Sequence, residues 1–155
     1  MEKRTDAVFE ILRAAAAEAN AKGDKWIVID CAYEHMDALG DHDFDEVLAQ
    51  ILALVERYPQ LDFGGPGPFG DFIEREPVDA YADQLLASLE RRPSVQVVGW
   101  LDRIMRAKCY RRQKAWAAIP PSRFALAPEA VLRHPLAAED CRSFSRECLA
   151  DIDKG

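Results

Sequence analysis

The sequence has no uninterrupted apolar run near the ~20 residues that cross a bilayer. Its opening, Met1-Glu2-Lys3-Arg4-Thr5-Asp6, lacks the apolar stretch that a secretory signal carries behind its basic residues. A cytoplasmic location with no membrane partner is the expectation. Cysteine is sparse: Cys31, Cys109, Cys141 and Cys148 form no Cys-x-x-Cys pair, which excludes a zinc ribbon and a thioredoxin-type site and leaves reduced, buried thiols. Histidine is sparser, with His35, His42 and His134 alone. The one glycine-rich loop lacks a Walker ending, and no Ser or Cys stands in a nucleophile elbow. Neither a catalytic residue nor a cofactor is therefore expected, and the chain reads as a binding protein. The most telling absence is local, since Lys and Arg are missing from Trp26 to Glu56.

What is present there is acid. Asp30, Glu34, Asp37, Asp41, Asp43, Asp45, Glu46 and Glu56 alternate with Ile29, Ala32, Met36, Leu39, Phe44, Val47, Leu48, Ile51, Val55 and Tyr58 at helical spacing. One face packs while the other presents carboxylates. The segment starting Trp26-Ile27-Val28-Ile29 has strand-like β-branching, but no turn residue interrupts it before Leu39, so its length predicts a helix. On that helix Asp30, Glu34 and Asp37 fall at i, i+4 and i+7 beside Trp26 and Tyr33. Gly40-Asp41-His42-Asp43 is a turn, and Asp43 is an N-cap for a helix from Phe44 to about Arg57 whose first turn holds Asp45 and Glu46.

With 155 residues, 49% of them hydrophobic and 30% charged, the chain reads as one folded domain over 1–155. The predicted class is all-α, an array or bundle of about seven to eight helices in helical-hairpin pairs, with a Gly/Pro loop at 59–68 and an extended connector at 117–127. Thr5 or Asp6 is expected to cap a first helix bearing Val8, Ile11, Leu12, Ala15 and Ala19, which Gly23 stops. Val78, Tyr81, Ala82, Leu85, Leu86 and Leu89 mark a later helix. Pro93-Ser94 separates it from one carrying Val97, Val98, Leu101, Ile104 and Met105. A short helix is expected from Pro128 to Arg133, and a last one over Ala138–Ile152 carries Cys141, Phe144, Cys148, Leu149 and Ile152. The succession of helix pairs resembles helical-repeat arrays, without an exact repeat.

A net charge of −7 disfavours nucleic acid as the main ligand, because phosphate affinity comes chiefly from Lys and Arg, and it favours a basic partner. Two other chemistries stay open. His35, Asp41, His42, Asp43 and Asp45 could serve a metal-dependent hydrolase, which would need further ligands from separate helices. Arg103, Arg106, Lys108, Arg111, Arg112 and Lys114, with Tyr110 and Trp116 nearby, could form a nucleic-acid patch, or a solvated face offsetting the acidic half.

The loop Asp62-Phe63-Gly64-Gly65-Pro66-Gly67-Pro68-Phe69, followed by Phe72-Ile73-Glu74, resembles small bacterial immunity proteins that accompany polymorphic or contact-dependent growth-inhibition toxins. In those proteins an aromatic-Gly-x-Pro-Gly-Pro loop enters a helix ending in Glu. A helix follows with leucines spaced like Leu85, Leu86 and Leu89, and a proline break like Pro93-Ser94 comes after it. The likeness covers roughly residues 26 to 106, and this chain has Gly70-Asp71 where bulkier or histidine-containing pairs are expected. The resemblance implies a cytoplasmic, mostly helical protein that binds and neutralises one toxin domain, often a nuclease. An acidic surface with aromatic anchors suits a basic nuclease cleft. The expected contact set is Trp26, Asp30, Tyr33, Glu34, Asp37, Asp41, Asp45 and Glu46.

Overall fold

A computed structural model describes residues 2–106 and 121–154, and all the regular structure among them is helical. In chain order the helices are α1 (Glu2–Lys22), α2 (Trp26–Gly40), α3 (Phe44–Arg57), α4 (Gly67–Ile73), α5 (Ala82–Arg91), α6 (Val95–Arg106), α7 (Pro121–Arg133) and α8 (Glu139–Lys154), with a 3-10 turn at Val78–Ala80. The all-α expectation of about eight helices holds for the described residues.

The first helix starts before the expected cap, so Thr5 and Asp6 lie within it. Its buried stripe is Phe9, Leu12, Ala16 and Ala19, whereas Ile11 is exposed. The inward face therefore differs from the expected one: Phe9 and Ala16 are buried, while Val8 and Ala15 are only partly so. Gly23, at φ 65°, ends the helix, and the Asp24 amide reaches back 3.0 Å to the Ala19 carbonyl. This is a glycine C-cap with its wrapping hydrogen bond. Asp24 then accepts from the Trp26 amide at 3.1 Å. One short turn thus closes α1 and opens α2, and the two helices pack against each other.

The third helix begins as its sequence predicts, with Asp43 accepting from the Glu46 amide at 3.2 Å, a cap of about 1 kcal/mol. Its inward residues Val47, Leu48, Ile51, Leu52, Leu54 and Val55 are buried. Phe44 stacks on Phe72 of α4 with ring centroids 5.5 Å apart. The Gly/Pro loop between α3 and α4 is held from α6. Gln96 accepts from the Phe63 amide at 2.9 Å and donates to the Gly64 carbonyl at 2.6 Å, and the Trp100 indole donates to the Pro66 carbonyl at 3.1 Å. These bonds satisfy backbone groups that a buried loop would otherwise leave unpaired.

Packing then passes along the chain: α2 on α4, α3 on α5, α5 on α6 and α7, α6 on α7 and α8, and α7 on α8. A cluster of buried apolar side chains extends from Phe9 in α1 to Cys148 in α8.

Two further boundaries differ from the sequence reading. First, α5 starts only at Ala82, with Val78 in the 3-10 turn and Tyr81 at its N-cap. The expected connector at 117–127 is helical from Pro121 onward, and Pro128 sits inside α7 instead of opening it. A proline at the first helical position costs nothing because its missing N–H would be unsatisfied there anyway. Ala127 and Val131 are buried, which offsets part of the ~3 kcal/mol that an interior proline costs. The remaining connector residues, 117–120, lie outside the described ones.

Candidate partner-binding face

The face is built by α2. Val28, Ile29, Ala32, Met36 and Leu39 are buried, which turns the opposite side of the helix to solvent. On that side Trp26, Asp30, Tyr33 and Asp37 follow one another at i, i+4, i+7 and i+11, a single line along the helix. Trp26 is 57% exposed and Tyr33 53%, unusually open for aromatic side chains on a packed helix. Glu34 flanks the line and is exposed, and Asp41 is exposed just past the last turn. Over the fifteen residues of α2 the face is about 22 Å long.

None of Asp30, Glu34, Asp37, Asp41, Asp45 and Glu46 forms an ion pair among the described residues. The recorded pairs lie elsewhere: Lys22 with Glu18, Lys25 with Asp62, Arg91 with Glu56, Arg103 with Glu74, and Arg142 and Arg146 with Glu139. Like charges one turn apart disfavour a helix by a few tenths of a kcal/mol per pair. The surface carries that cost without internal relief.

Asp45 and Glu46 are also exposed but stand at the start of α3, beyond the Asp41–Asp43 turn. That helix packs on α5, and their position next to the positive end of its dipole accounts for part of their presence. They extend the acidic region without joining the α2 line. Glu56 leaves the acidic set: its carboxylate takes both Arg91 (3.0 and 2.9 Å) and the buried Ser88 hydroxyl (2.9 Å), tying α3 to α5.

Two cations bracket the face, and the sequence reading missed both. Lys25 lies 5.4 Å from the Trp26 ring centroid while its ammonium contacts Asp62 of the loop at 3.1 Å. The Arg75 guanidinium lies at the other end, 3.7 Å from where a Gly40 side chain would begin. Lys25 was discoverable as the neighbour of Trp26. Arg75 was not, because only the fold brings the end of α4 to the end of α2.

The His35 ring donates from Nδ1 to the Cys31 carbonyl at 2.8 Å, inside its own helix. No group of three or more His, Cys, Asp or Glu among the described residues is arranged to hold a metal. Of the basic run, Arg103 is gripped by both Glu74 oxygens at 2.8 and 3.1 Å. Lys108, Arg111, Arg112 and Lys114 lie outside the described residues, as does the side chain of Arg106.

His134, the histidine farthest from the face, donates from Nε2 to the Glu90 carbonyl and accepts the Leu136 amide at Nδ1. It joins the end of α7 to α5. Burial pushes the Cys141 thiol up to about 11, and burial, then Glu34, raises that of Cys31. Both stay protonated and unreactive at neutral pH.

No helix among the described residues is long and apolar enough to cross a membrane. No family model, curated protein or solved structure matches the chain.

Proposed function

We propose that the protein is a cytoplasmic immunity protein that binds and neutralises a cognate bacterial toxin domain, a basic nuclease, and that it works by occupation and not by catalysis. The observation that carries the reading is the α2 face, where two exposed aromatic side chains alternate with carboxylates that no cation of the described residues pairs. The loop's likeness to immunity proteins supports it independently.

The energetics suit inhibition by binding. Nucleases hold phosphate backbones with Lys and Arg, so a cleft of that kind is attracted to this face over a Debye length, about 10 Å in moderate salt. Once docked, buried aromatic anchors supply most of the affinity, while the flanking charges set orientation and the rate of encounter.

The test is protection of cells. A reading frame adjacent to the gene is expected to encode a large secreted protein with a toxin domain at its C-terminus. Expressing that domain should stop growth, and co-expressing this protein should restore it. The variant D30K/E34K/D37K should fold, judged by its helical circular dichroism and melting temperature, yet fail to protect. Full protection by that variant would overturn the reading of this face.

A further inference from the structure

We infer that the α2 face reads guanidinium groups, and that its partner presents two arginines about 10 Å apart. The inference rests on the reading of α2 as the partner face and specifies which side chains meet it.

The arrangement is periodic. Asp30 has Trp26 one turn before it and Tyr33 about one turn after it, and Asp37 follows Tyr33 by another turn. Residues at these spacings have Cβ atoms ~5–6 Å apart. A cation against either carboxylate therefore lies beside an aromatic ring. The seven steps from Asp30 to Asp37 rise about 10 Å along the axis. That equals i to i+7 on a facing helix, or three residues of an extended strand.

The protein already shows the motif once within itself. Lys25 lies against the Trp26 indole while contacting the Asp62 carboxylate, so one cation is here shared between a ring and a carboxylate. Lys25 occupies that ring on one side, and the exposed remainder of Trp26, with Tyr33, is left for a partner.

Arginine fits such a slot better than lysine for geometric reasons. Its planar guanidinium stacks on a ring and, in the same plane, forks onto a carboxylate with two hydrogen bonds. An ammonium is a compact, strongly hydrated charge that gives up more water to do either. An acidic surface without aromatic rings would respond to net charge and discriminate little between the two.

The experiment uses the full chain and two synthetic alanine-rich helical peptides of equal length and charge. One carries arginines at i and i+7, and the other carries lysines at the same places. Titration at moderate salt should show the arginine peptide binding about ten-fold more tightly. W26A/Y33A should bring that ratio to near one, while W26F/Y33F should retain most of it. D30K/E34K/D37K should abolish binding of both peptides. Equal affinity of the two peptides for the wild type, lost on charge reversal, would overturn the guanidinium inference and leave the acidic face standing. Binding of neither peptide, or binding indifferent to charge reversal, would overturn both.

Discussion

Arg75 is the residue that most directly limits the acidic face. Its guanidinium lies at Gly40, where the carbonyl end of the α2 dipole and the nearby Asp41 favour a positive charge. A basic partner arriving at that end meets a like charge. Replacing Arg75 by Gln should therefore raise the association rate for a basic partner by two- to three-fold at low salt, on the order of 0.5 kcal/mol as expected for one partly screened charge. Stopped-flow association of the wild type and variant measures this, and an unchanged rate would place Arg75 outside the partner's path. At the same scale Glu56 shows where composition misled. It belongs to the cation-free stretch of sequence, but Arg91 from α5 neutralises it across the core boundary. Such pairing depends on residues 35 positions apart and leaves no local trace.

Among the elements, the Gly/Pro loop and α4 support α2 from below, and their glycines have separate reasons. Gly64 and Gly67 adopt φ 99° and 73°, conformations that a side chain disfavours. Gly70 is required by proximity, since a Cβ there would come within 2.7 Å of Pro66 and 2.9 Å of the Trp100 indole nitrogen. That contact gives a physical reason for a small residue at Gly70-Asp71, the place where the loop departs from the pattern it resembles. Gly70→Ala should cost about 1–3 kcal/mol from overpacking, more than the ~1 kcal/mol of helix propensity it gains. Gly65→Ala, with open space around it, should change stability by less than about 0.5 kcal/mol. Urea unfolding of both variants tests the packing, and equal midpoints would contradict it.

The inward stripes of α2, α3 and α5 were legible in the sequence, because each buries one regular face, and the Asp43 cap stood where its spacing put it, whereas the α1 stripe was not. The reach of α7 was not legible, because Pro128 lies inside the helix, against the usual reading of a proline. Nor were the roles of Gln96 and Trp100, which depend on a loop that only the folded chain brings to them.

At the scale of the whole molecule, charge is distributed unevenly. A net charge of −7 would be unremarkable if it were dispersed. The described arginines that form ion pairs are spent on Glu56, Glu74 and Glu139, away from α2. The helical scaffold thus lines up uncompensated carboxylates and two exposed aromatic side chains along a single helix. Segregation of this kind promotes encounter with an oppositely charged partner and adds little to fold stability, since surface pairs contribute only ~0.2–1 kcal/mol each. The central claim is that this face exists to meet a positively charged protein surface. The most direct measurement is the association rate of the purified protein with the toxin domain that the proposed function expects to be encoded beside it, followed across ionic strength. The rate should fall steeply with added salt for the wild type, and both rate and slope should drop toward the behaviour of an unsteered pair in D30K/E34K/D37K. A wild-type rate independent of salt, or an unaltered slope in the variant, would contradict the account.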